Sequence, residues 1–441
     1  MKCECAICKS NKPFEMPNEI VEAAIEGNLV LFCGAGISTE SKNVLPYSFY
    51  TSIKSELSVD EDLSFSQLMQ RYCEQPNGRK KLLNSIRKRF EYIKSFPELE
   101  RIASSFHREL AEIYQIKTII TTNWDTYFED YCSAIPITIP EDFAFWDDNE
   151  RYVLKIHGSI NNLSTLIATE DDYLKCYDSL QKGAIGATLK HILTTKTVVF
   201  IGFSFGDDDL NQIMDYLQKE MEDIFPHIYL VTLDDQIKNR ITYKNSTAIV
   251  TAGTYFIHQL KTALIDKGLI TNYDIKGDVS AILDEIETVH QNTSRINVLD
   301  YPCVVYSLVY QDGIIHALER YLQNYKTGEY CVPNKIKHIV CSYQEYIELY
   351  HDVHHYINEA YCLGYRNAHI IMEFIAKDKN VLKSVSPFFL PNAKRALKSM
   401  QIFMDELNRV SSLKSKYTKH AKEAIKELSD NDIVVHHPPY L

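Results

Sequence analysis

The stretch Leu29 to Ser38, LVLFCGAGIS, limits more than any other what this chain can become. Leu29 to Cys33 is a continuous apolar run, the pattern of a central parallel strand covered on both faces. It breaks at once into Gly34-Ala35-Gly36. Glycines at such a turn remove the Cβ atoms that would hold a pyrophosphate off the backbone. The N–H groups of a following helix would then point at the anion with the favourable end of the helix dipole. Ser38 adds a hydroxyl donor. The third glycine of the dinucleotide fingerprint is missing, so the turn alone does not define a nucleotide site.

Three further apolar runs end in polar residues, which is how the carboxyl edge of a doubly wound sheet reads in sequence. They are Thr118 to Asp125 (TIITTNWD), Tyr152 to Ser159 (YVLKIHGS) and Thr197 to Ser204 (TVVFIGFS). With GAGIS, and in this order, they resemble the sirtuin fold, and more closely its bacterial sirtuin-like branch associated with phage defence. The resemblance runs from about Ile20 to about Asp266. It implies a Rossmann-like doubly wound parallel α/β sheet with NAD as ligand and substrate. Gly34, Ala35, Gly36, Ser38, Thr122, Gly202, Ser204 and Asp207 are the positions it places against NAD. Asp207, in GFSFGDDDL, falls on the family's acidic position, and would equally serve as an N-cap.

Cleaving the nicotinamide–ribose bond passes through an oxocarbenium-like state. It needs stabilisation of positive charge, orientation of the leaving group and a base for the incoming hydroxyl. His157 ends a strand and has an ordinary pKa suited to that base. Asn123 offers an amide to the ribose or a water, and Asp125 a carboxylate toward the carboxamide or the cation. Two family features are missing. The Gly-Ile-Pro-Asp-Phe-Arg segment is replaced by Asn43-Val44-Leu45-Pro46-Tyr47-Ser48-Phe49, and the two Cys pairs of the zinc ribbon are reduced to Cys176 between His157 and Gly202. These departures favour NAD hydrolysis to nicotinamide and ADP-ribose over a protein deacylase. A non-catalytic NAD- or ADP-ribose-binding module would not need Asn123, Asp125 and His157 together.

The chain has 441 residues, too many for one ordinary core. Residues 1–17 read as a Cys-containing N-terminal segment, 18–270 as the catalytic domain, 271–299 as a polar, turn-rich linker and 300–441 as an all-helical regulatory or oligomerisation domain. Within the catalytic domain, charged residues 56–114 read as a helical lobe over the site, with His107 structural or at the surface. The net charge of −12 argues against direct nucleic-acid binding. No apolar run reaches the length of a membrane span, and the polar start is no signal peptide, so the expected location is cytoplasmic. An NAD hydrolase must be held back until needed. By resemblance this is achieved through homo-oligomerisation or a partner such as a HerA-type ATPase or a short Argonaute.

The eleven cysteines are scattered and read as reduced thiols. Cys3, Cys5 and Cys8 could offer three thiolates to zinc, but a structural site takes four ligands and no second Cys pair follows. They read as ordinary thiols on a frayed terminus, and no metal is expected. His351, His354 and His355 share a helix face and could ligate; they read as solvated or packed. Tyr343, Tyr346 and Tyr350 read as a packing or partner face.

Overall fold

The computed structural model describes residues 5–11, 13–41, 44–147, 149–203, 219, 227–235, 245–271, 275–377, 386–426 and 437. The chain divides into two compact units, Met1–Ile270 with Lys326–Gly328, and Thr271–Tyr325 with Glu329–Leu441.

The first unit is built on a seven-stranded sheet. Its strands are β1 (Leu29–Cys33), β2 (Thr118–Thr121), β3 (Ile135–Ile137), β4 (Tyr152–Lys155), β5 (Thr197–Ile201), β6 (Ile228–Thr232) and β7 (Ser246–Val250). They lie in the order β3-β4-β2-β1-β5-β6-β7, and every pairing is parallel. β1 is buried along its whole length, as its unbroken apolar run requires. The chain runs from β1 toward one side of the sheet and returns to the other at β5, so the strand order reverses beside β1. That is where doubly wound sheets open a crevice at their carboxyl ends.

Register sets which residues meet there. Cys33 pairs with Thr121 on one side and Ile201 on the other, and Thr121 pairs with Lys155. The residues just after these four leave the sheet along one edge. Beneath, Phe32 stacks on Phe200 with centroids 4.8 Å apart, and the helices Glu170–Lys182 and Ala184–Thr195 cover that face with Leu180, Leu189 and Leu193.

Residues 56–114 form the expected helical lobe, with helices at Phe49–Leu57, Phe65–Cys73, Gly78–Ser95, Pro97–Ala103 and Ser105–Ala111. Ser64 caps the second of these reciprocally with Gln67. His107 is fully buried against Phe106, Tyr127 and Phe128, so its structural reading holds and its surface alternative does not. Residues 5–9 are not frayed: a short helix, Ala6–Lys9, packs on the helix Gly253–Asp266, and Phe14 stacks on Phe256.

The second unit has helices and no strand among its described residues. Its main helices are Lys276–Thr293, Val304–Asn324, Lys335–Asp352, Tyr356–Lys377, Met400–Ser411 and Lys416–Lys426. The first of these falls in the segment read as a turn-rich linker. Its polar surface carries an apolar stripe, Val279, Ile282 and Ile286, at helical spacing, and burial of that stripe outweighs the polar composition. Tyr343 stacks on Tyr365 at 4.1 Å, which makes the tyrosine stripe partly a packing face. His351 ends a helix beside Glu359 at 3.0 Å, while His354 lies in a left-handed turn, so the two do not share a helix face. No helix among the described residues is long and apolar enough to cross a membrane.

Candidate active site

A cavity of about 1500 Å³ lies over the carboxyl edge of the sheet in the first unit. β1 sends Ala35 and Gly36 to its wall, β2 sends Thr122, Asn123 and Asp125, β4 sends His157, and β5 sends Gly202 and Phe203. The structure therefore brings together seven of the eleven residues singled out from sequence, with Phe203 beside them. Gly34 and Ser38 lie just behind the wall. Ser204 and Asp207 lie outside the described residues.

Asp125 is the most constrained group. Burial raises its carboxyl above the usual carboxylate range, against the pull of the Lys155 ammonium and the Ser38 hydroxyl. Ser38 Oγ donates to Asp125 Oδ2 at 2.7 Å and accepts from Asn123 Nδ2 at 3.3 Å. Ser38 is itself fully buried. It joins the two candidate polar residues from beneath, where the sequence reading had it facing a phosphate. The Tyr127 N–H donates to the other oxygen, Oδ1, at 3.2 Å. Lys155, whose side chain is completely buried, donates to the backbone carbonyl of Asp125 and pairs with Glu129 at 3.0 Å.

His157 is 2% exposed, and burial pushes its imidazole down to about 3, so the ring is neutral at physiological pH. It meets the ring of Tyr173 edge-on at 5.1 Å. Its carbonyl accepts from the Ile167 N–H at 3.1 Å, which ties the strand exit to the following loop.

The glycine turn differs from the expected cradle in two respects. A single 3₁₀ turn, Ala35–Ile37, follows β1 in place of a helix. The Gly34 and Gly36 amides are spent on the neighbouring exit, donating to Ile201 O at 2.8 Å and Gly202 O at 2.9 Å. A Cβ on Gly34 or Gly36 would stand 2.8 or 2.7 Å from Gly202 O, and Gly202 holds a φ of +82°. The physical reason is the register: β1 and β5 are neighbours, so their exits run side by side and only glycines let the backbones touch.

Several residues in or behind the wall were not singled out from sequence. Asp234 and Asp235 follow β6, and IYLVTLDD carries the same signal of an apolar run ending in polar residues. Lys155 stood in plain view as a lone cation in the apolar run YVLKI. Arg89 holds Glu40 at 2.9 Å in the wall formed by the lobe, a pairing with no local pattern to announce it. Cys176, the remnant at the zinc-ribbon position, is buried and donates to Ile156 O at 3.5 Å.

Residues 117–251 match the SIR2-like domain family. The chain is 27% identical over 315 residues to Defense-associated sirtuin 2 of Bacillus subtilis, covering 66% of this chain and 29% of that one. It is 32% identical over 201 residues to NAD(+) hydrolase ThsA of Enterococcus faecium, covering 44% and 40%. To NAD(+) hydrolase ThsA of Bacillus cereus (strain MSX-D12) it is 24% identical over 282 residues, covering 61% and 56%. The chain thus spans between about a third and just over half the length of these relatives.

Proposed function

We propose that the chain belongs with the sirtuin-like proteins it is similar to and hydrolyses NAD to nicotinamide and ADP-ribose within an anti-phage system, depleting the cell's NAD once triggered. One observation carries the reading most: Asn123, Asp125 and His157, from the exits of two neighbouring strands, face one cavity over the carboxyl edge of the sheet. In this reading Asp125 and Asn123 orient the ribose and meet the developing positive charge, while water is the acceptor. His157 is neutral before the substrate arrives. The pyrophosphate brings negative charge that favours a protonated imidazole, so binding itself makes the ring a better base.

The helical unit is proposed as the element that couples cleavage to a trigger, through self-association or a defence partner. Deacylation is disfavoured by the residues that replace the Asp-Phe-Arg segment and by the buried setting of Cys176.

Chromatography of NAD incubated with the activated full chain, without peptide, tests the activity. Nicotinamide and ADP-ribose are expected in equal amounts, and His157→Gln should lower the rate by roughly two to four orders of magnitude. With the free imidazole depressed to about 3, kcat/KM should show no acid limb in the ordinary histidine range. A His157→Gln protein as fast as the parent would refute the assignment.

A further inference from the structure

The N-terminal cysteines and one distant histidine converge outside the cavity. Cys5 Sγ lies 3.4 Å from His258 Nε2, and the ligating atoms of Cys5, Cys8 and His258 all fall within 4.8 Å of one another. Among the described residues no other group of three or more His, Cys, Asp or Glu side chains converges in this way. In a tetrahedral zinc site, bonds of about 2.3 Å to sulfur and 2.0–2.1 Å to nitrogen set the ligand atoms roughly 3.6 Å apart. The observed separation is close to that edge. Thiolate and imidazole ligands together suit zinc over the hard cations that take oxygen.

The surroundings match what a ligating imidazole needs. His258 Nδ1 faces Glu109 Oε2 at 3.0 Å, which fixes the proton on Nδ1 and turns the Nε2 lone pair toward the thiols. Glu109 is held in turn by Lys261 at 2.7 Å. The sulfurs also take N–H donors, Cys8 N to Cys5 Sγ at 3.4 Å and Gln259 Nε2 to Cys8 Sγ at 3.6 Å, as metal-bound thiolates do.

We propose that Cys5, Cys8 and His258 bind a structural zinc ion. Cys3 lies outside the described residues, and the three described donors leave the fourth tetrahedral position to a further donor. The cysteines bind as thiolates, and their protons pass to solvent. The site is separate from the zinc ribbon of the deacylases, whose segment here holds only Cys176. Its effect is to pin residues 5–11 to the helix Gly253–Asp266. Ile7, Ser10 and Asn11 from the segment, and Gly253 and Thr254 from the helix, all line the cavity. The ion therefore fixes one wall of the site without touching what binds there.

The test is metal content of the full chain, purified without a polyhistidine tag and equilibrated with zinc, read by mass spectrometry of the metal. About one zinc per chain is expected. Cys5→Ser, Cys8→Ser and His258→Ala should lose it, and Cys341→Ser, an exposed cysteine of the other unit, should retain it. Glu109→Gln should bind zinc about 10–100-fold more weakly. The wild-type protein answers independently of whether the variants fold. Loaded with cobalt, it should show thiolate-to-metal charge-transfer absorption, and chelation should expose additional thiols to a thiol reagent. Wild-type protein carrying less than roughly a tenth of an equivalent of zinc, or Cys5→Ser and His258→Ala proteins that keep theirs, would overturn the proposal.

Discussion

Replacing Ser38 by alanine removes one hydroxyl that touches both Asp125 and Asn123, and its cost can be worked from the geometry. The bond to Asp125 at 2.7 Å has a charged acceptor and is worth about 1.5–3 kcal/mol, while the contact to Asn123 at 3.3 Å adds about 0.5–1.5. Asn123 can turn its amide to the carboxylate and recover part, so the net loss at neutral pH should be about 2–3 kcal/mol. At a urea slope of about 2–3 kcal/mol/M this moves the midpoint of the first unit by about 1 M. The penalty should also depend on pH. Burial raises the folded Asp125 carboxyl above its unfolded value, so its contribution to stability is fully present below the unfolded pKa and is lost as pH rises through the folded one. Ser38 is one of the groups opposing that rise. Without it the folded value climbs further and the loss widens, so the variant should suffer more at pH 7.5 than at pH 4. Urea unfolding followed by a first-unit fluorophore, at both pH values, reads this directly. A loss below about 0.5 kcal/mol at pH 7.5, or the same loss at both, would show that the hydroxyl does not hold the carboxylate.

Gly36→Ala should destabilise the ligand-free protein by about 1–3 kcal/mol, because its Cβ meets Gly202 O at 2.7 Å; ligand-free stability unchanged beside lost NAD affinity would return the glycine to a purely phosphate-facing role. The helical unit should raise the mass of the assembly above one chain in light scattering, alone or with a defence partner, and that mass should change when NAD cleavage is switched on. A monomer before and after activation would remove the proposed control.

The parts of this fold that were legible in sequence were those fixed by local pattern. The apolar run Leu29 to Cys33 could only be an interior strand, and the polar ends of four such runs gave the carboxyl edge and with it Asn123, Asp125 and His157. What was not legible depended on partners far along the chain. Nothing near Gly34 or Gly36 says that their amides belong to Ile201 and Gly202, and nothing near Ser38 says that it faces Asp125 and not solvent. His258 sits in the ordinary helical sequence TYFIHQLK, so the three-cysteine cluster looked one ligand short. The helix Lys276–Thr293 was hidden for another reason: its polar face dominates the composition, and only the spacing of Val279, Ile282 and Ile286 betrays it.

The contact between the β1 and β5 exits also sets a timetable. On the ribosome, the glycines after β1 emerge long before Gly202, and at synthesis rates of about 5–20 residues per second the interval is roughly ten to thirty seconds. During it, the edge of β1 that will pair with β5 stands open, with unpaired N–H and C=O groups. The turn cannot set until Gly202 docks, so the cavity does not exist on an unfinished chain. With this topology the pocket is completed only when most of the first unit has been made.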